Sequence, residues 1–171
     1  DYDVSGGITS NNTSDISTNI INVGNDDTAS AVNLTSVVEY QTINVSSGSL
    51  TLAEGENGQV RNSSITVSQN GLLTTNASYL DNVQTENNGI ADFTGGTIAE
   101  SNTITGSGNL IISSNVINYA NIEQSSITVQ TYEISKFTTN ASSVTASAGI
   151  FNAGDLIFNQ LGSNYDMENN N

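Results

Sequence analysis

The 171-residue sequence contains no histidine, no cysteine, no tryptophan and no proline, and its only basic residues are Arg61 and Lys136. Each absence excludes something. Without His and Cys there is no imidazole base, no Ser-His or Cys-His nucleophile, no His- or Cys-ligated metal and no disulfide. Two basic side chains against seventeen acidic ones leave a formal net charge of −15. That balance argues against nucleic acid, which is bound by neutralising phosphate with Lys and Arg, and against an anionic membrane surface for the same reason. It favours solubility and makes any self-association salt-dependent. No run approaches the roughly eighteen apolar residues of a membrane span, so membrane insertion is not expected. The lack of proline suits parallel strands, which use every backbone N–H. A carboxylate pair is the remaining route to catalysis, as in glycosidases. With no Trp and almost no positive charge to hold a sugar, the chain reads as a non-enzyme with no catalytic and no cofactor-binding residues.

What is present is Ser, Thr, Asn and Gly, punctuated by Ile, Val and Leu. The apolar fraction of 35% is low for a compact globule. The spaced β-branched residues nevertheless separate this chain from a disordered one. Residues 104–150 set the rhythm: two successive blocks open on Ile-Thr, and each has an early and a late aliphatic pulse. First pulses fall at Ile21, Ile43, Ile65, Ile104, Ile127 and Ile150, evenly spaced but for the step from Ile65 to Ile104, which is nearly twice as long. Second pulses fall at Leu50, Leu72, Leu110, Ile134 and Leu156, third pulses at Val38, Val60, Val83, Ile122 and Val144. Three short strands per repeat, with Gly and Asn between them, predict an all-β fold. It is a right-handed parallel β-helix (β-solenoid) of about six coils, with about 22–23 residues per coil. The predicted core is Ile43, Leu50, Val60, Ile65, Leu72, Val83, Ile104, Ile112, Ile122, Ile127, Ile134 and Val144. The long step holds either one shortened coil or a bulge with a change of phase. The alternative fold is an antiparallel β-sandwich or jelly roll, which the Asn-Gly dipeptides at 70–71 and 88–89 would serve as hairpin turns.

The domain reading is a polar N-terminal arm over residues 1–20, a solenoid over 21–160 and a polar C-terminal tail over 161–171. The chain opens on Asp1 rather than Met, which a removed signal peptide or a trimmed longer chain would explain. Ile8, Ile16 and Ile20 equip the arm to add a strand to a neighbour's open end. Acidic residues cluster at Asp26 with Asp27, Glu54 with Glu56, and Asp1 with Asp3; calcium is the one ion they could suit. None has the spacing of an EF-hand or a calcium-binding nonapeptide, so no metal ligand is assigned and solvated surface charge is the reading. Thr103-Ile104-Thr105 is a single Thr-x-Thr element with no neighbouring copy in register, too little for an ice-binding face. Asn-x-Ser/Thr triplets at Asn12, Asn33, Asn44, Asn62, Asn76 and Asn140 permit glycosylation and imply no more. Tyr2, Tyr40, Tyr79, Tyr119, Tyr132 and Tyr165 are dispersed and read as rim residues.

In the blocks ITVSQNGLLTTNAS, ITGSGNLIISSNV and ASSVTASAGIFNAGDLIF the chain resembles two groups. One is the repeat regions of bacterial autotransporter passengers and filamentous-haemagglutinin-type adhesins. The other is the shafts of phage tail fibres. The resemblance lies in composition and rhythm, covers about residues 21–158, and transfers no functional residues. It implies a non-enzymatic structural or adhesive protein on the cell surface, outside the cell or on a virion. The partners it implies are further copies of the chain, joined as a filament, and a host surface or glycan.

Overall fold

Strands rich in Ile, Val and Thr bury one side chain in two and must pair their backbone N–H and C=O groups with other strands. The interior strands of each ladder pair with the strand one coil before and the strand one coil after. The structure, a computed structural model, describes residues 2–4, 19–24, 29–35, 37–52, 58–130, 135–141, 143–152 and 154–159. Among the described residues every strand pairing is parallel. The chain is a parallel β-solenoid of about six turns, and the antiparallel alternative is excluded.

Each coil crosses three faces. The first face stacks Asn19–Val23, the start of Gln41–Leu52, the start of Ser64–Thr75, then Gln84–Asn87, Thr103–Thr105, Asn121–Gln124 and Val144–Ala146. The second stacks Ser30–Leu34, the ends of the same two long strands, then Ile90–Phe93, Asn109–Ile112, Ser126–Val129 and Ile150–Asn152. The third carries Gly96–Ile98, Asn115–Asn118, Lys136–Thr139 and Asp155–Phe158, preceded in the earlier coil by the 3-10 turn Ala77–Tyr79. A short ladder of Val38–Glu39, Val60–Arg61 and Leu80–Asp81 leads back to the first face. Inward side chains form columns. One runs Ile21, Ile43, Ile65, Thr85, Ile104, Ile122, Val144. Another runs Val32, Leu50, Leu73, Ala91, Leu110, Ile127, Ile150. A coil needs only a few inward residues, each worth roughly 1.5–3 kcal/mol when enclosed, so a chain with little apolar mass still builds a continuous core.

Several expectations are corrected. The coils are not uniform in length. Ile43 pairs with Ile65 at the expected spacing, but Ile104 pairs with Ile122, and Ile127 with Leu110, across clearly shorter coils. Ile104 and Ile127 therefore lie in different columns, although they sit one expected repeat apart in sequence. The corners also vary from coil to coil. Between the first and second faces the chain spends four residues from Val67 to Leu72, two from Asn87 to Ile90 and one from Gln124 to Ser126. The long step from Ile65 to Ile104 is two coils, with Thr85 in the isoleucine position between them. Leu72 faces outward and Leu73 takes the core position. A register shift between Val45 and Ser47 inserts one residue into the later coil, and one residue reverses which side chains point in. Val83, Ile122 and Val144, grouped with Val38 and Val60 by spacing, stack on or beside the first face instead. The Asn-Gly dipeptides are coil corners, not hairpins: Gly71, Gly89 and Gly108 sit one above the other, and a Cβ on Gly89 would come within 2.2 Å of the Ser68 carbonyl oxygen.

The predicted core is otherwise buried, with Ile134 outside the described residues. Tyr2–Val4 pairs with Ile21, Asn22 and Val23 of its own chain, and Asn19 and Ile20 already belong to the first-face strand. The rest of the expected arm, and the tail over 161–171, lie outside the described residues.

Candidate functional site

Parallel stacking turns every outward position into a row with one side chain per coil, about 4.8 Å apart. On the first face, one row reads Ile20, Thr42, Ser64, Gln84, Thr103, Asn121 and the next reads Asn22, Asn44, Thr66, Glu86, Thr105, Glu123, Thr145. Neighbours in these rows bond to each other, as in Asn44 Nδ2 donating to Asn22 Oδ1 at 3.0 Å and Ser64 Oγ to Thr42 Oγ1 at 3.4 Å. A shallow concavity of about 480 Å³ crosses three coils here, lined outwardly by Ser64, Thr66, Gln84, Glu86, Thr103 and Thr105. Hydroxyls, one amide and one carboxylate can hydrogen-bond a polar ligand. Glu86 has no second acid or base among these lining residues, so they offer no acid–base pair.

The structure separates the residues that sequence brought forward. Thr103-Ile104-Thr105 lies between Gln84-Thr85-Glu86 and Asn121-Ile122-Glu123, so Thr105 is flanked by two glutamates instead of further threonines. No group of three or more His, Cys, Asp or Glu among the described residues is placed to hold a metal ion. The clusters at Asp26 with Asp27, at Glu54 with Glu56, and Asp1 lie outside the described residues, as does the side chain of Asp3. Of the triplet asparagines, Asn33 is exposed, while Asn44, Asn62, Asn76 and Asn140 are each engaged in a hydrogen bond; Asn12 is outside the described residues.

A second surface was not legible in the sequence. At the corner leading into the first face, Tyr40, Asn62 and Asn82 adopt left-handed backbone, with φ of 57°, 47° and 54°. Asn accepts this conformation at little cost, and stacking lets Asn82 Nδ2 donate to Asn62 Oδ1 at 2.8 Å. Tyr40 is 60% exposed and Tyr119, at the corner that precedes Asn121, is 47% exposed. Glu39, Arg61 and Asp81 run alongside as an acid–base–acid row. Tyr79 is partly buried against the core; Tyr132 and Tyr165 are outside the described residues. Spacing gave no sign of this edge, because the shared feature is a backbone angle occupied by different residue types.

The fold defines the class: a parallel β-solenoid with polar outer rows and no helix among the described residues long and apolar enough to cross a membrane. No family model matches the chain, and neither a curated protein nor a solved structure does.

Proposed function

We propose that the chain is a non-enzymatic structural or adhesive protein of the cell exterior, a solenoid subunit that joins copies of itself into a fibre or surface filament. The observation that supports this reading is the state of the ladder's last members. Val144–Ala146 and Ile150–Asn152 each have one strand partner among the described residues. A terminal strand with one side unpaired presents a row of N–H and C=O groups that templates another strand. Stacking a second copy on that end extends the solenoid, and a head-to-tail contact of this kind does not close. At −15 net charge the copies repel, so salt or divalent cations promote the contact. A virion appendage such as a tail fibre uses the same construction and is the nearest variant of this reading.

Electron microscopy of the full chain beside a variant lacking residues 1–18 tests it. That deletion removes Tyr2–Val4 and spares Asn19–Val23. Ordered filaments in high salt or calcium are the expected result, and monodisperse monomers of both proteins under those conditions reject assembly. A second reading, a glycan-binding adhesin, draws on exposed Tyr40 and Tyr119 beside the Asn62 and Asn82 amides, since sugars stack on aromatic rings and bond to amides. A polysaccharide screen separates the readings: binding that is lost in Tyr40→Ala favours the adhesin, and turnover would replace both with an enzyme.

A further inference from the structure

Asn87, Asn102 and Asn118 are buried in the core. Two of them are satisfied at both ends of the amide. Asn102 Oδ1 accepts from the Val83 N–H at 2.8 Å, and its Nδ2 donates to the Leu80 carbonyl at 3.0 Å. Asn118 Oδ1 accepts from the Ala120 N–H at 3.1 Å, and its Nδ2 donates to the Ala120 carbonyl and to Thr139 Oγ1. Asn87 differs. Its Nδ2 donates to Gln124 Oε1 at 2.8 Å and to the Asn109 carbonyl at 3.0 Å. A backbone carbonyl only accepts, so this contact fixes which way the amide points and leaves Oδ1 on the other side. Asn87 Oδ1 is buried with no hydrogen-bond partner, and so is Thr85 Oγ1, two residues earlier on the same inward face.

The columns supply the space. Thr85 stands between Ile65 and Ile104 and lacks the Cδ1 methyl that both carry. The backbone ladder holds the coils about 4.8 Å apart, so the stack cannot close over the missing methyl. A water molecule occupies about 30 Å³, on the scale of that methyl. Inward residues two apart on a strand have Cα atoms about 6.6 Å apart, and a water with two hydrogen bonds of about 2.8 Å joins oxygens up to about 5.6 Å apart, so one water bridges the pair when the Thr85 and Asn87 side chains lean toward each other. Leaving both groups without a partner costs far more than ordering one water.

We propose that Thr85 and Asn87 form a binding site for one buried water inside the solenoid. The water donates one hydrogen to Asn87 Oδ1 and is hydrogen-bonded to the Thr85 hydroxyl. Two neutral oxygens do not suit a calcium ion, which takes six to eight oxygen ligands.

A high-resolution crystal structure of the full chain, paired with ¹⁷O magnetic relaxation dispersion in solution, tests the site. The expected result is a density peak within about 3.2 Å of both Thr85 Oγ1 and Asn87 Oδ1. Thr85→Ile, which restores the isoleucine of the column, lowers the count of long-lived internal waters by one. A wild-type structure with Thr85 Oγ1 bonded directly to Asn87 Oδ1, or with no density between them, overturns the proposal. An unchanged water count in folded Thr85→Ile does the same. If that variant does not fold, the wild-type structure alone decides.

Discussion

The coil that carries Ile43, Val45 and Leu50 and the coil that carries Thr85, Asn87 and Ala91 follow the same path with different interiors. In the first, one twelve-residue strand, Gln41–Leu52, bends across two faces and turns aliphatic side chains inward. In the second, two four-residue strands, Gln84–Asn87 and Ile90–Phe93, meet at a two-residue corner, and the inward positions of the first are polar. Both coils stay in register through Ser64–Thr75 between them. The path is thus held by the backbone ladder, and a column accepts polar residues where they find partners and the next coil leaves room. Gly106 supplies that room: it is the next residue in the Asn87 column, and the Asn87 amide reaches past its level to Gln124.

The sharpest way to break this comparison is a charge in an aliphatic column. Ile127 is fully buried between Leu110 and Ile150. Ile127→Asp places a carboxylate there with no partner, which is expected to cost more than about 4 kcal/mol and unfold the chain. Circular dichroism across a urea titration reads the result; a parent-like midpoint would mean that the core tolerates charge as well as amides. Next in size is Gly106→Ala. The backbone at Gly106 has φ of +125°, and a Cβ there would lie 2.3 Å from the Asn87 carbonyl oxygen. Backbone strain and the clash together predict a loss of about 2–4 kcal/mol in the same titration.

Asn87→Val sharpens the comparison from the other side, because valine is the residue of the preceding coils, Val45 and Val67. The substitution matches the column and still destabilises by about 1–3 kcal/mol, because the Asn109 carbonyl and Gln124 Oε1 lose a donor. Adding Gln124→Leu recovers part of that loss, and a double-mutant cycle measures the coupling. Additive losses would show that the amide pair contributes nothing as a pair.

Much of this fold was legible because Ile21, Ile43 and Ile65 repeat one residue type at one spacing, and that spacing is one coil. The signal fails after Ile65 for two physical reasons. Thr85 breaks the identity of the column, so the coil that holds it cannot be counted by apolar residues. The turns between faces then vary in length from coil to coil, so distance along the sequence no longer measures position around the coil. The stretch from Ile104 to Ile127 is one short coil, closed at Ile122, plus the passage from Ile122 onto the next face. Leu72 and Leu73 show the same limit at a finer scale, since an inserted residue decides which one points inward. The edge of Tyr40, Asn62 and Asn82 was hidden because left-handed backbone leaves little trace in a sequence when Tyr shares it with Asn.

The smallest expected effect lies outside the ladder, in the row Glu39, Arg61, Asp81. Arg61 Nη1 is 3.7 Å from Glu39 Oε1, and the two side chains are 40% and 43% exposed. Water and salt screen such a pair, and holding two long side chains in place costs entropy, so exposed pairs contribute about 0–1 kcal/mol. Arg61→Gln keeps much of the length and the hydrogen-bonding capacity of the side chain and removes the charge. The expected shift in stability is below about 1 kcal/mol and shrinks further in high salt. Because Arg61 faces outward while its neighbour Val60 is fully buried, the same two-residue strand offers a control: Val60→Ala opens a cavity and should cost about 2–4 kcal/mol. If Arg61→Gln proved as damaging as Val60→Ala, the outer rows would have to be counted with the columns as determinants of the stack.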